Sequence, residues 1–207
     1  MTLVLLPGMD GTGRLFTAFA AALGGEFKVK VVTYPTVEPL GYVELESVAR
    51  RALPTEGPYV LLGESFSGPI AVALAASGSS QLKGLILCCS FARNPRPAFA
   101  NLGALVRVLP VTHAPVALLS HLLLGQFSTK ALRQSLSQAL AEVTPSALKV
   151  RLRAVLAVNV SAKLSTIKVP ILYLRASRDR LVPSAASALV SQLNPCTKVV
   201  ELEAPHF

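Results

Sequence analysis

The chain of 207 residues is long enough for one domain with a buried core, and its 52% hydrophobic and 15% charged residues exclude intrinsic disorder, collagen-like sequence and coiled coil. Its net charge of +9 leaves nucleic acid, an anionic membrane surface and acidic partners open. The three cysteines lack disulfide or metal-ligand spacing, so we expect core residues of a reducing compartment. Residues 1–8 lack the basic start of a signal peptide, which predicts a cytoplasmic protein.

Short apolar runs alternate with helix-length segments, a pattern typical of a parallel sheet covered on both faces. The predicted strands are residues 3–6, 29–34, 59–62, 84–88, 171–174 and 198–202. Helices that connect them are predicted over residues 14–23, 42–53, 69–76 and 184–193. The expected fold is a doubly wound α/β domain with an all-parallel sheet of about six strands.

The alternation stops between the fourth and fifth predicted strands, where helices are predicted over residues 97–109, 115–124, 129–142 and 145–159. Pro110 and Pro115 divide the apolar part of this segment, which predicts two short helices rather than a membrane span. We therefore expect a core of residues 1–91 and 169–207 with a helical lid, residues 92–168. The lid carries the whole net charge of +9, so we expect a solvated basic surface or a surface that meets anionic lipid or an acidic carrier protein.

The sharpest local motif is Gly-Glu-Ser-Phe-Ser-Gly at residues 63–68, between a predicted strand and a predicted helix. A turn this tight strains the backbone of its central residue and needs small neighbours, which places Ser65 as a nucleophile. The motif resembles the G-x-S-x-G nucleophile elbow of the α/β-hydrolase family. Here Ser67 occupies the second small position and Gly68 follows it.

A serine hydroxyl is a weak nucleophile until a base takes its proton, and a third group must orient that base. In the family that the motif resembles, the acid and then the histidine follow later strands. Asp179 follows the strand predicted at residues 171–174, and His206 follows the strand predicted at 198–202. The resemblance therefore implies a catalytic triad of Ser65, Asp179 and His206.

Three other polar side chains receive no catalytic role. Glu64 precedes the nucleophile, but strand alternation predicts that it points away from Ser65. His113 and His121 fall in the predicted lid, where we expect them to be partly buried or to line a pocket.

The loop after the first predicted strand, residues 7–13, is rich in glycine. In the family, a loop at this place donates a backbone N–H to the oxyanion hole, so the resemblance implies the amides of Met9 and Phe66 as donors. Pro7 stands where relatives often have histidine. Nucleotide binding by this loop is disfavoured, because the full G-x-G-x-x-G pattern is absent.

The resemblance implies a serine esterase that cleaves small carboxylic esters of short-to-medium acyl chains, with no metal or organic cofactor. A thioesterase, or an esterase of acyl groups held on a carrier protein, uses the same residues and is the alternative. A non-catalytic binding module is a further alternative. Nucleic-acid binding is disfavoured, because the sequence has no recognisable nucleic-acid-binding module.

Relatives in this family continue with a helix after the histidine, whereas this sequence stops one residue after His206. The apolar surface that such a helix covers would then need another cover. We expect a second copy of the chain, in a homodimer, or a rearranged terminal segment to cover it. A truncated gene fragment is the other explanation.

Overall fold

A computed structural model of the protein describes residues 1–23, 25–98 and 116–206. Within these residues six parallel strands form one sheet, in the order β2-β1-β3-β4-β5-β6. The predicted six-stranded parallel α/β fold is confirmed. The strands are β1 (Thr2–Leu6), β2 (Lys28–Val31), β3 (Tyr59–Glu64), β4 (Leu82–Cys88), β5 (Ile171–Ala176) and β6 (Lys198–Leu202).

Helices connect successive strands, as parallel pairing requires. Helix α1 (Thr17–Ala22) follows β1 after a 3-10 turn at Arg14–Phe16, and α2 (Tyr42–Arg51) joins β2 to β3. Helix α3 (Gly68–Ala76) joins β3 to β4, and α8 (Ser184–Leu193) joins β5 to β6.

The strand order reverses between β1 and β3, because the chain first places β2 on one side of β1 and then β3 on the other. The loops that follow β1 and β3 therefore start from the carboxyl ends of neighbouring strands and lead to opposite faces of the sheet. Ligands of doubly wound folds bind at such a switch point. The topology thus brings the glycine-rich loop and the Ser65 turn to one place.

The two faces of the sheet are buried to different extents. One face forms a large core with α2, α3 and α8, which includes Leu61, Leu85 and Ile70. On the other face the buried cluster consists of Leu3, Leu5, Phe16 and Leu62, and Val60 and Ile86 beside it are half-buried. Most of the packing energy therefore comes from the first face.

Between β4 and β5 lie α4 (Val116–Leu123), α5 (Lys130–Ala141), α6 (Pro145–Ala157) and α7 (Ser161–Ser165), which we call the helical insertion. Thr129 caps α5 by accepting a hydrogen bond from the Leu132 amide at 3.1 Å, and Thr144 caps α6 in the same way. Helix α7 was not predicted, and most of the helix predicted over residues 97–109 lies outside the described residues. No described helix has the length and hydropathy to cross a membrane.

Three predictions about the scaffold are wrong. Strand β2 ends at Val31 rather than at residue 34, because the following residues bond to the loop after β1, with the Tyr34 amide donating to Gly11 O at 2.8 Å. Cys196 is exposed rather than buried. The expected basic lid surface excludes Arg151, which is fully buried.

Candidate active site

Ser65 lies at the turn between β3 and α3, in a short 3-10 segment, Ser65–Ser67. Its φ of 45° falls in the left-handed region, which costs a residue with a Cβ of order 1–3 kcal/mol. The predicted backbone strain at this residue is confirmed. A side chain held in such a turn projects from the end of the sheet, at the start of the next helix.

The glycines on both sides of the turn leave no room for a side chain. A Cβ on Gly63 would lie 2.7 Å from the Cβ of Ala71. A Cβ on Gly68 would overlap the side chain of Ser90, whose hydroxyl donates to the Ser65 carbonyl oxygen at 2.6 Å. These contacts explain physically why the motif needs small residues at its ends.

Ser67 occupies the position at which the sequence departs from the family pattern. Its side chain is completely buried, and its hydroxyl donates to the carbonyl oxygen of Pro7 in the loop after β1. The Tyr34 hydroxyl lies 2.8 Å from Ser67 Oγ. The serine therefore links the elbow to the neighbouring loop, a contact that glycine does not make.

The structure brings Ser65, Asp179 and His206 together in one hydrogen-bonded chain. The His206 Nε2–Ser65 Oγ and His206 Nδ1–Asp179 Oδ2 distances are both 2.8 Å. With its proton on Nδ1, neutral His206 donates to Asp179 and accepts from the Ser65 hydroxyl. The other Asp179 oxygen accepts from the amides of Leu181 and Val182 at 2.8 and 2.9 Å. This arrangement can move a proton from Ser65 to a buried, oriented imidazole.

The helical insertion contacts the loops that carry the histidine and the acid. The backbone amide of His206 donates to the carbonyl oxygen of Leu123, the last residue of α4, at 3.0 Å. Arg180, which follows Asp179, donates to the carbonyl oxygen of His121 at 3.2 Å. His121 was expected to be partly buried or to line a pocket, but its side chain is exposed beside Arg180. His113 lies outside the described residues.

Glu64 lies on the same side as Ser65, contrary to the prediction from strand alternation. Alternation holds only while the chain stays extended, and the left-handed φ of Ser65 ends it directly after Glu64. Glu64 is buried and lines a cavity together with Ser65 and His206. Burial, and then the charge of Asp10, raise its pKa to about 7.

Two apolar cavities border the candidate triad. Both are lined by Met9, Ser65, Leu181 and His206. The first, of about 200 Å³, is lined mainly by leucines of the helical insertion. The second, of about 300 Å³, lies between residues after β4 and helix α6. The reacting atoms therefore lie where two apolar cavities meet.

The two predicted oxyanion donors lie beside the nucleophile. Met9 lines both cavities, and Phe66, the residue after Ser65, lines the second. The Phe66 side chain is buried and stacks on Tyr42 with ring centroids 4.7 Å apart. In the described ranges, no group of three or more His, Cys, Asp or Glu side chains is arranged to hold a metal ion.

Arg151 is a further residue near the site that the sequence analysis did not predict, because it lies in the segment expected to form the basic lid surface. On α6 it lies midway between Ala147 and Val155, and all three residues are buried. Four-residue spacing places them on one face of the helix, so this periodicity was the signal that Arg151 faces inward.

Comparisons with known proteins show which family and fold this chain resembles. The protein "Phytyl ester synthase 1, chloroplastic" of Arabidopsis thaliana is 37% identical over 103 residues, which cover 45% of this chain and 15% of that protein. The chain therefore aligns with a small part of that relative's length.

Solved structures share the fold at low identity. A hydrolase from Oleispira antarctica superimposes with a TM-score of 0.82 at 15% identity, covering 98% of this chain and 82% of the other. A carboxylesterase structure from the thaumarchaeon Nitrososphaera gargenis gives a TM-score of 0.79 at 16% identity, covering 97% and 80%. The sequence pattern of the alpha/beta hydrolase family matches residues 3–207. Because this match spans nearly the whole chain, the resemblance is confirmed and the chain belongs to the alpha/beta hydrolase family.

Proposed function

We propose that the protein is a serine hydrolase that cleaves carboxylic esters through an acyl-enzyme on Ser65. The observation that carries the proposal is the hydrogen-bonded chain from Ser65 through His206 to Asp179, in which both hydrogen-bond distances are 2.8 Å. This chain borders two apolar cavities. Family membership supports hydrolytic chemistry.

In the proposed reaction the Ser65 oxygen attacks the ester carbonyl while His206 Nε2 accepts the hydroxyl proton. Asp179 orients the imidazole and stabilises its positive charge, and the Met9 and Phe66 amides hold the oxyanion. When the tetrahedral intermediate collapses, His206 returns the proton to the leaving alcohol. Water, activated by His206, then attacks the acyl-enzyme and releases the acid and free Ser65.

The cavities support an apolar substrate. A cavity of about 200 Å³ or 300 Å³ fits a short-to-medium aliphatic chain, and each one meets Ser65. We therefore propose that an aliphatic acyl group occupies one cavity and an apolar alcohol the other.

A panel of p-nitrophenyl esters of increasing acyl length tests this function. We expect kcat/KM to rise from acetate to a maximum at medium chain length and then to fall. Labelling of Ser65 by a fluorophosphonate probe identifies the nucleophile. A wild-type protein that turns over none of these esters, with Ser65 unlabelled, contradicts the proposal and favours a non-catalytic binding module.

Acyl transfer to an apolar alcohol is a second candidate. It is supported by the second apolar cavity and by the relative that is named as a phytyl ester synthase. In that reaction an alcohol in the cavity, rather than water, attacks the acyl-enzyme. Ester formation from a p-nitrophenyl ester and a long-chain alcohol, measured against acid release, separates the two reactions.

The alternative of a thioesterase uses the same residues, so the ratio of thioester to ester turnover distinguishes it.

The positive charge of the segment between β4 and β5 supports contact with anionic lipid or an acidic carrier protein. Activity on such substrates should then fall as the salt concentration rises.

We also propose a homodimer, and light scattering at micromolar concentration tests it.

A further inference from the structure

Arg151 of α6 is fully buried and points its guanidinium at the loop after β1, residues 7–12, which we call the β1 loop. Its Nη1 donates to the carbonyl oxygens of Met9 and Asp10 at 2.8 and 2.9 Å. Its Nη2 donates to the carbonyl oxygen of Pro35 at 2.7 Å. One side chain of the helical insertion thus bonds to three backbone oxygens of the core.

These bonds lie on one side of the peptide that carries the proposed oxyanion donor. The N–H of Met9 belongs to the planar Gly8–Met9 peptide. On the far side of that peptide, the Ser67 hydroxyl donates to the Pro7 carbonyl oxygen. On the near side, Arg151 bonds the Met9 carbonyl oxygen. With both neighbouring carbonyls held, the direction of the Met9 N–H has little freedom.

The surroundings of Arg151 are shaped to admit its guanidinium. Gly11 has a φ of 76°, and a Cβ there would lie 2.7 Å from Arg151 Nη1. The Arg151 Cζ lies 5.9 Å from the centre of the Tyr34 ring, and the Tyr34 hydroxyl lies 2.8 Å from Ser67 Oγ. The two anchors of the β1 loop are therefore linked through Tyr34.

Burying the guanidinium of Arg151 has an energetic cost. Removing a guanidinium from water costs several kcal/mol unless its partners compensate. Those of Arg151 are carbonyl oxygens rather than a carboxylate, and its Nε is buried without a partner among the described residues. An apolar side chain would avoid the cost of burying the charge but would leave the carbonyl oxygens of Met9 and Asp10 without these bonds. The planar guanidinium instead fixes two adjacent carbonyls at once.

We propose that Arg151 is a positioning residue for the oxyanion hole, through which the helical insertion holds the Met9 amide in its productive direction. The proposal rests on the proposed function, because it needs an oxyanion that forms at Ser65. It makes the helical insertion part of the catalytic apparatus as well as a wall of the cavities.

The test compares Arg151→Met and Arg151→Lys with Lys149→Met, which removes a positive charge from the same helix. For Arg151→Met we expect kcat to fall roughly ten- to hundredfold with KM within about twofold, because a donor misplaced by about 1 Å loses this much. Affinity for a boronic acid that forms a tetrahedral adduct with Ser65 should fall in parallel. Arg151→Lys should recover a large part of kcat, since an ammonium can reach the Met9 oxygen. Lys149→Met should match the wild type.

A second variant covers the case in which Arg151→Met does not fold, as judged by thermal denaturation. Ser67→Ala removes the other anchor and should lower kcat with KM unchanged. A wild-type kcat in both anchor variants overturns the proposal. A change in KM with kcat unchanged overturns it as well. Inactive wild-type protein contradicts the proposed function instead, so the two failures are distinguishable.

Discussion

The elbow after β3 and the β1 loop meet at the same point, but different kinds of contact hold them there. The elbow is shaped mainly by residues close in sequence: Gly63 and Gly68 permit its close packing, and Ser65 takes a left-handed φ. Its more distant contact is the bond from the Ser90 hydroxyl to the Ser65 carbonyl oxygen. The β1 loop is held by Ser67 and Arg151, which lie 60 and 142 residues along the chain from the oxygens they bond. Nucleophile geometry is therefore mainly a local property, whereas oxyanion geometry depends more strongly on the tertiary fold.

The largest expected effect comes from Ser65→Ala at the elbow. The change removes the nucleophile, so we expect kcat/KM for p-nitrophenyl esters to fall by at least about 10⁴-fold. Circular dichroism should be unchanged, because alanine fits the same turn. Esterase activity that survives in this variant refutes the assignment of Ser65.

Glu64→Gln tests the contact between the two regions, since Glu64 is the last residue of β3 and lies near Asp10 of the β1 loop. Burial raises the pKa of Glu64 from 4.5 to about 7. The folded protein thus keeps a proton that the unfolded chain releases, so this stabilising contribution is complete below pH 4.5 and is lost as pH rises through about 7.

The wild type should therefore lose up to about 3 kcal/mol of unfolding free energy relative to Glu64→Gln over this pH range. Urea denaturation of both proteins at several pH values measures the difference. A constant difference between pH 4 and about 8 contradicts the raised pKa.

Gly68→Ala breaks the local packing of the elbow. The new methyl group would overlap the side chain of Ser90, so we expect a loss of about 2 kcal/mol in unfolding free energy. Gly84→Ala is the matched control, because a Cβ there meets its first neighbour at an ordinary 3.6 Å. Equal stability of the two variants in urea denaturation would show that the elbow is not tightly packed.

The predicted elements show which parts of the fold are local. Strand β6 and helix α8 have the bounds expected from sequence, because apolar runs and helix periodicity are short-range patterns. The elbow was predicted for the same reason. Arg151 and Glu64 were not, because burial of Arg151 depends on how α6 docks on the core, and the direction of Glu64 depends on the φ of its neighbour.

The smallest expected effect is that of Thr12→Val, which loosens the β1 loop from within. The Thr12 hydroxyl donates to Asp10 Oδ2 at 2.5 Å, and its loss should cost about 1 kcal/mol of stability and a few-fold in kcat. Thr17→Val is the control, because it removes an exposed hydroxyl that lies outside the site and donates to Arg14 O at 2.7 Å. Equal kcat in both variants would show that the loop tolerates local loosening.

The bond between Ser65 and His206 joins residues 141 positions apart, and this separation has a kinetic consequence. Closing so long a loop carries a large entropic cost before any contact forms, so the site belongs to the slow, non-local part of folding. During synthesis Ser65 emerges well before His206, so a nascent chain contains the nucleophile without the acceptor for its proton. Pulse labelling with a fluorophosphonate during refolding should therefore report a step later than formation of the sheet.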